Sequence, residues 1–234
     1  MSDIDKRIEE AQQLFEQHNF DAALAILEDL SNQKLKKKQK YEVILKRGVV
    51  KMNMSRYDEA RADLEESLRL AEKNADRYQQ THALHQLGII NKLLGDYQRA
   101  TELLREELRR CSSLIPCYYA DLSYNFYEQG DVMMLAGEYE DAEMYFKHAV
   151  TFADTEQNYH GAGLAYRGLA HLQMRFGQTK GVLAILEQSR KNFELGGNLH
   201  ELEEVVSEIE HFKLEHPELV GQEQELTEMA ITEY

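Results

Sequence analysis

"LLGDYQRA", residues 93–100, is echoed by "LAGEYEDA", residues 135–142, and the two octapeptides share a frame of Leu, Gly, Tyr and Ala. Aligned on the aromatic residue, the frame recurs at four positions: Phe20, Tyr57, Tyr97 and Tyr139. An alanine follows each three residues later, at Ala23, Ala60, Ala100 and Ala142. A small residue stands nine before it, at Ala11, Gly48, Gly88 and Gly130, and a large apolar one four past the alanine, at Leu27, Leu64, Leu104 and Phe146. A fifth, degenerate copy has Ala170, Gly177, Thr179, Val182 and Leu186 in the corresponding places. The chain is therefore an internal repeat.

The pattern predicts pairs of antiparallel helices. The small residue and the alanine lie where two helix backbones come close, and a larger side chain there would force them apart. Gly95 and Gly137 end the first helix of their pairs by accepting a left-handed conformation, and the tyrosine then opens the second. Apolar positions recur at three and four residues, as in Leu84, Leu87 and Gly88, then Ala100, Leu103, Leu104 and Leu108. Only two prolines interrupt a composition dominated by helix formers. Past the fifth pair, Leu202, Val205, Val206, Ile209 and Phe212 form one stripe of a further helix, which caps the stack. His216-Pro217 breaks it. The expected architecture is all-α, with a repeat array over residues 1–215 and an acidic segment, a short helix or a mobile tail, over residues 216–234.

This set of small, Gly, Tyr, Ala and large apolar residues resembles the tetratricopeptide repeat family over about residues 4 to 195, in five copies. Family repeats are usually about 34 residues long, whereas the aromatic spacings here are 37, 40, 42 and, counting Thr179, 40. The extra residues fall between pairs, as in "LAEKNADRYQQTHAL" (70–84), and lengthen those helices by about one turn. Long repeats of this kind are similar to those of Rap-type peptide-sensing regulators and of polarity scaffolds. The tryptophan and trailing proline frequent in the family are missing. The resemblance implies a right-handed superhelical solenoid whose first helices line a concave face.

Counting from the small residue, that face is expected to present Leu45, Val49, Met52 and Asn53 from the second copy, and His82, His85, Ile89 and Lys92 from the third. The fourth copy presents Tyr124, Tyr127, Asp131 and Met134, and the fifth Arg167, His171, Met174 and Arg175. Aromatic, Met and Arg residues are over-used at binding surfaces. Asn53, His82, His85, Ile89, Lys92, Tyr124, Tyr127, Asp131, Met134, Arg167, His171 and Arg175 are thus the candidate peptide- or protein-binding set. The family's chaperone-binding members hold a terminal carboxylate with a Lys/Asn/Lys/Arg clamp. Leu45, Val49, Gln86, Tyr124 and Glu128 stand at the comparable places, so that ligand is not expected.

Other function classes find little support. A net charge of -15 opposes sequence-independent nucleic-acid binding. Most of it is local: from His200 onward there are eleven Glu and one Lys. The start, "MSDIDKRIEE", has neither a signal nor a transit pattern, and no apolar run is long enough for a membrane span, so a cytoplasmic protein is expected. Cys111 and Cys117 are expected to be reduced. "GAGLAYRG" (161–168) follows no strand and is not expected to bind a dinucleotide. His82 and His85 share a helix face but lack a third ligand nearby in sequence, and the basic run "KLKKKQK" (34–40) is expected to be a solvated corner. No enzyme, cofactor or metal is expected.

Two functions remain: a non-enzymatic adaptor or scaffold holding a peptide or partner helix in the concave groove, or a peptide-responsive regulator of an effector. Rap-type regulators carry a further N-terminal module, which is not expected here because the first repeat begins almost at Met1. Residues 218–234, with Glu218, Glu223, Glu225, Glu228 and Glu233, could fold back on Lys92, Arg167 and Arg175 of the same face, in the same or a neighbouring molecule, giving self-association.

Overall fold

The computed structural model describes residues 2–111 and 118–219, and in them every regular element is helical. Two compact units divide the chain, Met1–Ser112 and Ser113–Tyr234. The first contains α1 (Asp3–Glu16), α2 (Phe20–Ser31), α3 (Lys37–Asn53), α4 (Tyr57–Lys73), α5 (Arg77–Leu93) and α6 (Tyr97–Arg110). The second contains α7 (Tyr118–Ala136), α8 (Tyr139–Thr155), α9 (Tyr159–Arg175), α10 (Val182–Gly196), α11 (Leu199–Glu215) and a 3₁₀ turn, Pro217–Leu219. Phe20, Tyr57, Tyr97 and Tyr139 each open the second helix of a pair, as the repeat predicts. The division falls in the α6–α7 connection; Cys117 and the segment from Val220 onward lie outside the described residues.

The period follows from the turns. His18, Ser55, Gly95 and Gly137 adopt left-handed φ two residues before the second helix of their pair, and Ala75, Gln157 and Gly197 do the same before the next first helix. Turns within and between repeats are therefore built alike. Two 17-residue helices and two three-residue turns give the 40-residue spacing from Tyr57 to Tyr97, so the additional length relative to the usual repeat is helical. Asn19, Asp76, Asp96 and Asn158 cap helices by accepting the backbone N–H three residues on.

The small residue does what the pattern requires. A methyl built on Gly88 would stand 2.8 Å from Leu104, and one on Gly130 2.7 Å from Phe146, the large apolar residue of the paired helix in each case. Phe146 is fully buried and is also approached from α9, where a methyl on Gly168 would come within 2.6 Å of its ring. The glycines of "GAGLAYRG" serve the same purpose: Gly163 admits Phe193 and Gly161 admits Ser123 and Asn158.

The fifth pair departs from the predicted register. Thr179 lies in a turn with left-handed Gly177 and Gly181, and α10 starts only at Val182. Without an aromatic residue to seat against its neighbours, the first turn of the helix is replaced by loop, while Val182 and Leu186 still occupy fully buried places in the second unit's core. α11 buries Val205, Ile209 and Phe212 on that core and ends at His216, before Pro217.

Candidate functional site

In the first unit the first helices α1, α3 and α5 lie side by side and leave a pocket of about 280 Å³ between them. Phe15, Leu27, Leu45, Val49 and Val50 supply apolar wall, and Gln12, Lys46, His82 and Gln86 supply polar groups. Lys46 Nζ donates to Gln12 Oε1 at 2.6 Å, and burial pushes its ammonium below the ordinary lysine range. Desolvation, with smaller contributions from His85 and Lys46, holds the His82 imidazole down, to about 4. Much of the His82 surface is nevertheless open to solvent, which argues for a smaller drop than full burial would give. His82 is therefore neutral at pH 7, beside a lysine with donors to spare.

His85, one helical turn further on, points elsewhere. Its Nδ1 lies 3.1 Å from Glu107 Oε2 of α6, so it belongs to the contact within the pair. Among the described residues no group of three or more His, Cys, Asp or Glu is arranged to hold a metal ion. Asn53 is exposed, with its amide donating to Val49 O, and Ile89 and Lys92 are half-buried on α5.

In the second unit the corresponding side chains are engaged with their own neighbours. Tyr124 hydroxyl donates to Asn158 Oδ1 at 3.2 Å and lies 3.0 Å from His160 Nδ1 of α9; desolvation raises its pKa. Tyr127 and Met134 pack against the core, Tyr127 with its ring 5.9 Å from that of Phe146. Asp131 is half-buried and Arg175 exposed at the end of α9. Arg167 is gripped by α11: Nε donates to Glu208 Oε1 at 3.0 Å and Nη1 to Glu204 Oε2 at 2.6 Å. His171 Nε2 lies 3.1 Å from the other Glu208 oxygen, and His160 Nε2 3.3 Å from Glu201. Burial alone would raise the Glu208 carboxyl, but the hydrogen bonds from His171 and Arg167 outweigh it and hold it at about 2.

Of the residues counted by register, Leu45, Val49 and His82 line this pocket; Gln12, Lys46 and Gln86 line it from outside that count. Lys46 and Gln86 each stand two residues before the small residue of their copy, on the same face but between the positions counted. The repetition of that offset was the available signal.

Residues 41–113 match the family model described as tetratricopeptide repeat. No curated protein gives a significant sequence match. Among solved structures, a Rap protein complexed with competence and sporulation factor is 18% identical, with 97% of this chain and 71% of that one covered at a TM-score of 0.73. PlcR of Bacillus thuringiensis, solved in complex with the peptide PapR7 and DNA, is 13% identical over 88% of this chain and 76% of its own, at a TM-score of 0.72. The repeats of a putative kinesin light chain from Podosopora anserina are 17% identical over 83% of this chain and 96% of theirs, at a TM-score of 0.61. Each unit is an all-α array of helical repeats, and residues 41–113 are of the tetratricopeptide type.

Proposed function

We propose that the chain is a non-enzymatic interaction module that holds a peptide segment or helix of a partner protein on its first-helix face, with the pocket between α1, α3 and α5 as the seat for one apolar side chain. Tetratricopeptide repeats support a protein-interaction role in general. The observation that carries the specific reading is the pocket: an apolar wall with Lys46, Gln12, Gln86 and neutral His82 around it. At about 280 Å³ it is at the small end of ligand pockets, which run from ~300 to 1,000 Å³, and suits a side chain better than a cofactor. Among the groups on the corresponding face of the second unit, Arg167 and His171 already have carboxylate partners from α11.

Peptides selected from a random library on the full chain test this. Gln86→Ala should weaken their binding ~10-fold or more, since truncated anchors lose most of the binding energy, with the melting temperature nearly unchanged, and Val49→Ala should weaken it as well. Selected peptides that bind both variants as tightly as the native chain would move the interface away from this face.

A second reading is a peptide-responsive regulator, which the likeness to Rap and PlcR, both solved with bound effectors, favours. It predicts that a selected peptide changes the chain's affinity for a second protein captured at a different surface. A peptide that merely competes with that protein leaves the adaptor reading in place.

A further inference from the structure

Lys34, Lys36, Lys37, Lys38 and Lys40 crowd the corner where α2 hands over to α3, and all five are exposed. None forms an ion pair among the described residues. What sets the corner apart is density: five exposed lysines fall within seven residues, 34–40, with no acid among them. Moreover, α3 has no acid in its first turn, whereas α1, α2, α4 and α8 do. Lysines at that end oppose the partial positive charge of the helix N-terminus, so the cluster weakens the fold it sits on.

The corner opens on a shallow bowl between α1 and α3 of about 700 Å³, which shares Gln12 and Lys46 with the pocket. Lys36, Lys38 and Lys46 stand in its wall against Glu9 and Glu42; Asp5 is already bound by Ser2 and Gln39. Ile8 gives it an apolar floor. An occupant that fits brings several carboxylates and a few apolar side chains.

The chain carries such a segment. Residues 220–234 contain Glu223, Glu225, Glu228 and Glu233 with Leu226, Met229 and Ile231 between them, and no Lys or Arg. Arg167, which the tail could also meet, is already matched by Glu204 and Glu208. We propose that the lysine corner of one copy binds the acidic segment, residues 220–234, of a second copy. Donor and acceptor surfaces differ, so the contact is head-to-tail and adds further copies in the same sense. At physiological ionic strength the net repulsion between two chains of charge -15 is screened beyond ~8 Å, which leaves the local match to decide.

Sedimentation velocity of the full chain over a micromolar concentration series tests this. Reversible association is expected, weakening as salt is raised. Lys36→Gln, Lys37→Gln, Lys38→Gln and Lys40→Gln together should weaken it ~10-fold or more, as loss of charge complementarity does. A synthetic peptide of residues 220–234 in excess should dissolve the association, and the same peptide with its four Glu replaced by Gln should not. The melting temperature of the lysine variant should stay level or rise, which separates lost contact from lost fold. A chain that stays monomeric throughout overturns the proposal. So does association that persists unchanged in the lysine variant or in the presence of the peptide.

Discussion

The two units bury and expose their positive charges in opposite ways. In the first, Arg47 and Lys51 of α3 turn inward to Asp63 of α4: Arg47 Nε donates at 2.9 Å and Lys51 Nζ at 2.8 Å. The Lys51 and Asp63 side chains are only 9% and 10% exposed. In the second, Arg167 of α9 stays on the first-helix face with His160 and His171 and is met by α11, where Glu201, Glu204 and Glu208 reach His160, Arg167 and His171. One arrangement ties a helix pair together internally. The other fastens α11 to α9 across the first-helix face. A cap in a repeat array thus does two jobs, covering apolar surface and neutralising the charge of the preceding repeat.

The largest effect expected from this contrast is at Asp63. Asp63→Ala leaves Arg47 without its carboxylate and Lys51 with only the more distant Glu59, at 3.7 Å, and should cost about 3–5 kcal/mol, the range for removing one partner of a buried pair. Glu208→Ala removes a carboxylate that is itself more exposed, 28% against 10% for Asp63, and leaves Arg167 paired with Glu204. Its cost should be nearer 1 kcal/mol. Equal losses in chemical denaturation would erase the distinction between the inward and the facing arrangement.

Packing gives the next contrast. Gly88→Leu and Gly130→Leu both overpack a helix crossing, at a cost of about 1–3 kcal/mol. The Gly130 change should be the more severe, because the rigid Phe146 ring is also approached by α9 at Gly168, while Gly88 faces the smaller Leu104. Thermal melts in which Gly88→Leu is the more damaging would show that Phe146 has room the geometry does not suggest.

These glycines also mark how far the sequence was legible. Gly48, Gly88 and Gly130 repeat because a backbone-to-side-chain contact repeats, so fold and register could be read from spacing. Thr179 takes the aromatic's place in the fifth copy, yet α10 starts three residues later, since a turn lacking its aromatic has no local signal for its length and left-handed Gly177 and Gly181 extend it. On the face, spacing told which residues point the right way but not what meets them. Arg167 and His171 share that face with Glu208 of α11, a partner that their spacing does not disclose. The relation of Glu204 and Glu208 to residues some forty positions earlier is a product of stacking, which the repeat implies only after the helices are laid in register.

A smaller effect separates the facing pair from its surroundings by pH. The Glu208 carboxyl is held at about 2 in the folded chain against an ordinary 4.5. Its contribution to stability is therefore complete above about pH 4.5 and is lost as pH falls toward 2, because the unfolded chain takes up the proton first. The stability difference between the native chain and Glu208→Gln should shrink through that window and stay constant above it. A difference that is flat down to pH 2 would mean that Arg167 and His171 hold the neutral amide as well as the carboxylate.

The smallest effect belongs to the pocket of the first unit. His82 is held down to about 4, against an ordinary 6.5, by the walls around its ring and by His85 and Lys46. Above about pH 6.5 the ring is neutral whether the chain is folded or not, and His82 does not bear on stability. Below that pH the unfolded chain binds the proton first, so stability falls as pH drops from 6.5 toward 4. The open edge of the ring lets water reach the imidazolium, so the loss should be slight. Titration of the His82 ring protons by NMR is the direct measurement, with a midpoint expected well under 6.5. His82→Gln should remove the corresponding slope from the stability profile without changing stability at pH 8. A midpoint at or above 6.5 would mean that a carboxylate or water solvates the ring. The pocket would then present a cation at pH 7, and its preference would turn toward anionic side chains.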